Sequence, residues 1–341
     1  MFCTLRQPRT VVYAAILVLL CSAIALAQQG RWTKAASFLQ PDEELYGVTA
    51  NGRLYVIGGY GAGKGRGINY EYDPASDVWT LKKPMARPAH HAALSEYLDK
   101  IYVFGGFVAP ATGGGWEPID NVWDYDPVAD DWKALAPLPS KRGAAVAVQV
   151  NGKVYVIGGA TTADGSKEVA ISPSTTVKNL TITDVYDIST NTWTSAAPMA
   201  LGRNHAFAGT IGGTIYVIGG RIAHSFVAAS QPTDVVEEYD PATNSWGAQW
   251  AKMPTARSGG GWGTYGGRIY VAGGEIATHA LVGAFRAVEA FDPATNSWTI
   301  MPSMPMPRHG VAGGMIANRT VIAARSTQDW RACRGYFSTS T

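Results

Sequence analysis

Apolar residues fall in short, evenly spaced runs along this chain, and nowhere do they repeat at helical spacing. The clearest runs are Leu54-Tyr55-Val56-Ile57, Ile101-Tyr102-Val103-Phe104, Val154-Tyr155-Val156-Ile157, Ile215-Tyr216-Val217-Ile218 and Ile269-Tyr270-Val271-Ala272. Each is β-branched and aromatic and stops at a Gly-Gly pair, which reads as a buried strand with an abrupt end. Asn51-Gly52, Asn151-Gly152, Gly212-Gly213 and Gly266-Gly267 lie just ahead of four of them. Such dipeptides accept the φ > 0 positions of a two-residue hairpin turn. Further on comes an aromatic-Asp step, usually followed by Pro (Tyr72-Asp73-Pro74, Tyr125-Asp126-Pro127, Tyr186-Asp187, Tyr239-Asp240-Pro241, Phe291-Asp292-Pro293). Asp bonding back to nearby backbone and Pro presetting φ make this a second turn. A short strand carrying Trp79, Trp132, Trp193, Trp246 or Trp298 ends each unit. The pattern predicts small antiparallel sheets of four strands.

The glycine pairs begin at residues 58, 105, 158, 219 and 273. A period of about 50 with paired glycines and a downstream aromatic resembles the kelch-repeat family, whose fold is a β-propeller. The resemblance covers nearly all of the chain beyond its first residues. It implies an all-β kelch β-propeller of four-stranded antiparallel blades, the aromatics filling the space between them, and counting the tryptophans makes it six-bladed. Trp32 has no cassette ahead of it, and residues 308–324 repeat only the first half of a unit. The expectation is a sixth blade whose outer strand comes from the N-terminus, so that closure hides the sheet edges. Ala324-Arg325 stands where the other units have Gly-Gly, so this last blade reads as degenerate.

Naming strands a to d from the axis outwards, alternation puts the short a–b and c–d turns at one end of every blade. The other end collects the long inserts 60–69, 107–121, 160–183, 221–234 and 275–287. Variable loops on a rigid scaffold are where binding usually resides. His90, His91, His205, His224, His279 and His309 all fall at this end. Arg87, Arg142, Arg203, Arg257 and Arg308 read as one equivalent position at the start of strand a in successive blades, with Asp42 in the sixth place. The expected ligand-binding set is Arg87, His90, Arg142, Arg203, His205, Arg257, Arg308, Asp42, Arg221 and Glu275, with Trp116, Glu117, Glu43 and Glu44 as candidates to lie near it. The family resemblance also implies a second role for any one arginine, hydrogen bonding to backbone between blades.

Residues 1–27 change the charge argument. Arg6 and Arg9, an apolar run over 11–25 and Ala25-Leu26-Ala27 read as an export signal cleaved after Ala27, leaving 28–341 as one propeller domain in the periplasm or outside the cell. The segment takes two of the 28 basic residues and no acid, leaving 26 basic against 26 acidic. A neutral balance without basic clusters argues against nucleic acid, and nothing else in the chain reads as a membrane insertion. Cys333 is the one cysteine beyond the leader, so no internal disulfide is expected.

Neither a metal site nor a cofactor is expected. Lys64 in GAGKGRG lacks phosphate-loop spacing and a following helix. Galactose oxidase shares the kelch propeller, but its copper site needs a tyrosine cross-linked to cysteine, and the tail cysteine does not fit. The leading expectation is a secreted, non-catalytic module binding an anionic small molecule, glycan or protein segment through the arginine- and histidine-lined face. The alternative is a carbohydrate-active enzyme in the same cavity, by analogy with kelch-fold epimerases or mutarotases acting on a sugar acid.

Overall fold

The computed structural model describes residues 30–40, 42–111, 113–175, 177–226, 230–247, 250–278 and 280–323, with the backbone of 335–338. The expected leader, His279 and Cys333 lie outside them. Five four-stranded antiparallel sheets are each built from one continuous stretch. The first uses Glu43–Ala50, Arg53–Gly61, Lys64–Asp73 and Val78–Leu81; the second, Ala93–Tyr97, Lys100–Phe104, Val122–Asp126 and Asp131–Ala134. The third uses Val146–Val150, Lys153–Ile157, Thr183–Asp187 and Thr192–Ala196; the fourth, Phe207–Ile211, Thr214–Ile218, Val236–Asp240 and Ser245–Trp246. The fifth uses Gly261–Tyr265, Arg268–Ala272, Val288–Asp292 and Ser297–Met301. The chain is thus an all-β propeller with five complete blades, one fewer than the six expected. The strands left over, Ala312–Ile316, Arg319–Ala323, Gly335–Ser338 and Arg31–Thr33, pair with one another in that order.

The predicted turns form as the sequence dictates. Asn51 and Gly52 both have φ > 0 (50° and 68°), the mirror-image turn that matches strand twist. The Gly-Gly pairs serve the contact between blades. A Cβ on Gly105 would stand 2.4 Å from the Arg142 carbonyl oxygen, and one on Gly106 would stand 2.7 Å from that of His90. Bare backbone there lets the Gly106 N–H donate to Arg142 O at 2.9 Å, and Gly159, Gly220 and Gly274 donate in the same way to the carbonyls of Arg203, Arg257 and Arg308.

At the rim each blade grips the one before it. The side-chain oxygens of Asp77, Asp130, Asn191, Asn244 and Asn296 accept the N–H of Ala36, Lys83, Ala136, Ala197 and Ala251 at 2.7–2.8 Å. All five have φ between 48° and 56°, a left-handed conformation that Asn and Asp tolerate. The first four also accept the hydroxyl of the buried Tyr72, Tyr125, Tyr186 or Tyr239. The indole N–H of each repeat tryptophan, Trp79 to Trp298, donates to a carbonyl in the same preceding segment. Trp32 follows the rule, donating to Pro302 O at 2.9 Å. Trp79, Trp132, Trp193, Trp246 and Trp298 each pack on the tyrosine or phenylalanine opposite them on the adjacent strand, which gives each blade an aromatic centre.

Candidate functional site at the long-loop face

Where each inner strand begins, one residue in a left-handed conformation turns the chain inward. Glu44, His91, Ala144, His205, Gly259 and Gly310 hold equivalent places, with φ from 52° to 63°. Their backbones link in series around the axis: Ala144 N–H to His91 O, His205 N–H to Ala144 O, Gly259 N–H to His205 O and Gly310 N–H to Gly259 O, at 2.8–3.2 Å. Leu45 N–H continues the run to Gly310 O at 3.1 Å. A non-glycine residue is strained at such a φ, and here four of the six are non-glycine.

This ring corrects the arginine register. Two residues before each ring position stand Asp42, Ala89, Arg142, Arg203, Arg257 and Arg308. The second blade therefore offers Ala89, while Arg87 is exposed and donates to Asn121 Oδ1 at 2.9 Å. As ligand-binding residues these arginines should lie open at the face. Arg142, Arg203 and Arg257 are instead at most 1% exposed. They pair within their own blades with Asp184, Glu237 and Glu289. Arg203 and Arg257 also donate to Val217 O and Val271 O at 2.9 and 3.0 Å. In the second blade the same two places hold Ala89 and Trp123, both in the apolar core. Arg308 keeps the register but is only half-buried.

Asp42 is buried 4.0 Å from Arg66 Nε, and burial raises its carboxyl above the usual range. Arg221 is held by Ser258 Oγ (2.8 Å), Ser225 O (2.7 Å) and Glu275, all in the interior. His309 Nε2 lies 3.8 Å from Glu275 Oε2. His224 stands apart, with Nε2 2.7 Å from Thr175 O.

Three ring side chains converge near the axis. His91 Nε2 lies 2.9 Å from Glu44 Oε2, the His91 and His205 rings are 4.7 Å apart, and one ligand atom from each of the three lies within 4.8 Å of the others. His90 packs beside them, its Nδ1 2.5 Å from His91 Nδ1. Burial holds the His90 and His205 imidazoles well below their ordinary pKa. Burial also works against a charged Glu44, but the neighbouring His91 outweighs it and the carboxyl sits well below its usual value. Tyr46, Phe107 and Trp116 wall the cluster, and Trp116 stacks on Phe226 with centroids 4.1 Å apart. A cavity of about 10 Å³, lined among others by Glu44, Tyr46, His205 and Trp262, adjoins it.

A larger, open groove of about 650 Å³ lies between the first two blades, lined by Lys64, Gly65, Arg66, Arg87, Pro88, Val108 and Ala109. The insert over 60–69 shapes one wall. It is no irregular loop, because two strands extend to Gly61 and from Lys64 past a bulge at Gly58–Tyr60. The inserts after the second, third and fifth glycine pairs each form a two-stranded hairpin.

The KLHDC2/KLHL20/DRC7 kelch-repeats domain matches residues 44–246, and the kelch motif matches residues 256–305. The chain belongs to the kelch-repeat family. Among similar proteins, Kelch-like protein terF of Aspergillus terreus is 27% identical over 90% of this chain and 68% of its own. Kelch-like protein 38 of Rattus norvegicus is 25% identical over 82% of this chain, which spans 44% of that protein. The solved structure of YjhT, 18% identical, matches with a TM-score of 0.70 over 89% of this chain and 95% of its own, a likeness of fold.

Sequence reasoning did not bring Glu44, His91 and His205 together, because it aligned the repeats on arginine. Counting back from the glycine pairs finds the ring position in all five blades. Lys64 and Arg66, the groove partners of Arg87, were likewise not in the expected set.

Proposed function

We propose that this kelch propeller is a binding module that takes an extended acidic peptide segment in the groove between its first two blades. The carrying observation is the convergence of Lys64, Arg66 and Arg87 on one open concavity of about 650 Å³. Among the described residues the only acid close to these cations is Asp42, 4.0 Å from Arg66. A carboxylate-bearing segment supplies the missing negative charge, at about 1.5–3 kcal/mol for each charged hydrogen bond. Arg142, Arg203 and Arg257 of the expected ring are already buried and paired with their own acids, which favours the groove over the central cavity. It also weighs against the sugar-acid enzyme, which needs an arginine open to the substrate carboxylate.

Titration of a fluorescent poly-glutamate peptide against the wild type, Lys64→Glu and Arg87→Glu tests this. Binding should weaken at least tenfold in each variant and fall with added salt. Equal affinity in all three proteins would refute the groove, and selective binding of a small sugar acid would return the site to the axis.

The run of paired strands from residue 312 to residue 33, and six ring positions in place of five, support a six-bladed ring closed by the N-terminal strand. The sequence of residues 1–27 supports export, with the long-loop face acting in the periplasm or outside the cell. Mass spectrometry of the secreted chain should find Gln28 first, and a retained Met1 would refute cleavage.

A further inference from the structure

We propose that Glu44, His91 and His205 form a binding site for one divalent transition-metal ion of the zinc type on the propeller axis. Carboxylate and imidazole are the donor set such an ion takes, with water or substrate in a fourth position.

The ring itself is the first argument. Its six places carry Glu, His, Ala, His, Gly and Gly, so three bear donors and three bear a methyl group or a hydrogen. The small residues leave the axial space to the donors. A Cβ on Gly310 would already press within 3.4 Å of the Glu44 carboxyl. The backbone bonds running round the ring fix the position of each donor.

The orientation of His205 is the second, independent argument. Asn204 gives its amide N–H to Asn179 Oδ1 at 2.7 Å, so its own Oδ1 is the acceptor that faces His205 Nδ1 at 2.5 Å. His205 therefore carries its proton on Nδ1, and Nε2 presents a lone pair. That nitrogen is buried and has no hydrogen-bond partner. An orphaned acceptor in the interior needs an explanation, and a metal ion supplies one. The Asn204–His205 pair is also the arrangement by which outer groups fix a ligating imidazole.

His91 is supported in the same manner by His90, whose Nδ1 lies 2.5 Å from its own Nδ1. His91 Nε2 lies 2.9 Å from Glu44 Oε2 and, like His205 Nε2, is buried without a hydrogen-bond partner. A proton on His91 Nδ1, donated to His90 Nδ1, leaves the His91 Nε2 lone pair facing the ion. The donor atoms lie within 4.8 Å of one another, and rotation of the three side chains draws them to the spacing of about 3.4 Å set by bonds of about 2.0–2.1 Å. The small cavity beside Glu44 and His205 has room for about one water, the fourth ligand.

The test is titration of the chelator-stripped full chain with zinc by calorimetry and with cobalt by visible absorbance. One ion per chain should bind, and cobalt should give the strong visible bands of a four-coordinate ion. Glu44→Gln and His205→Ala should each weaken binding at least 100-fold, and Asn204→Ala, which leaves every ligand in place, about 10–100-fold. Should the ligand variants fail to fold, Asn204→Ala decides alone. No stoichiometric binding by the wild type, or undiminished binding by the folded variants, overturns the site.

Discussion

Arg257→Ala should destabilise the propeller and leave binding at the face untouched. The guanidinium is 0% exposed and holds Glu289, itself 1% exposed, and it donates to Thr255 O at 2.9 Å and Val271 O at 3.0 Å. Removing it strands a buried carboxylate whose one remaining side-chain donor is the Thr255 hydroxyl at 2.6 Å. Breaking one side of a buried pair costs about 3–5 kcal/mol. At about 2 °C per kcal/mol for a domain of this size, the melting temperature should fall by about 6–10 °C. The double variant Arg257→Met/Glu289→Leu should recover most of the loss, since an apolar pair of similar volume is often neutral in place of a buried ion pair. The second blade already makes that exchange with Ala89 and Trp123. Thermal unfolding followed by circular dichroism, with acidic-peptide affinity measured beside it, checks both halves. An unchanged melting temperature with weakened binding would refute the reasoning and return the arginine to the ligand.

Asn244→Ala removes the acceptor for Ala197 N–H and the Tyr239 hydroxyl and puts alanine at φ 50°, and should cost about 2–4 kcal/mol in urea unfolding. Asn244→Gly, which restores the backbone freedom, should recover part of that. Burial first, with nearby acids and tyrosines adding to it, pushes the hydroxyls of Tyr102, Tyr186 and Tyr239 up to about 12. Because the unfolded phenols lose their protons near pH 10, stability should be intact below that and fall as pH rises from about 10 to 12, which alkaline melts will register. Deleting residues 28–40 should lower the melting temperature strongly, by exposing a strand edge and removing Trp32; an unchanged value would count against the closing strand.

Much of the propeller is legible in the sequence because its turns and strand ends demand particular residues. The left-handed hairpin positions require Asn-Gly or Gly-Gly, and blade contact requires Gly-Gly, so both recur at a fixed period. The ring was harder to read. At its six places the backbone shape recurs while the side chain changes from Glu to His, Ala or Gly, so no letter marks it. The second blade misled further, since Arg87 lies close to the proper place and the residue in register is Ala89. Burial of the arginines was illegible for a related reason. Their partners Asp184, Glu237 and Glu289 lie two strands away, and nothing local distinguishes them from the exposed acids of the rim. The Glu44–His91–His205 cluster arises from three blades meeting at the axis, which no local pattern encodes.

The rim contacts give each blade a direction. Each of the five described outer turns offers a receptor, the oxygen of Asp77, Asp130, Asn191, Asn244 or Asn296, and the segment just past an outer strand offers the matching N–H. Receptor and donor have the same geometry at these five joints, so the connectors do not encode which blade follows which. A duplicated repeat inserted in frame meets satisfied partners on both sides. What limits the number of blades is the curvature needed to bring the two ends together, so growth and loss of whole repeats are changes of circumference that leave the joints intact.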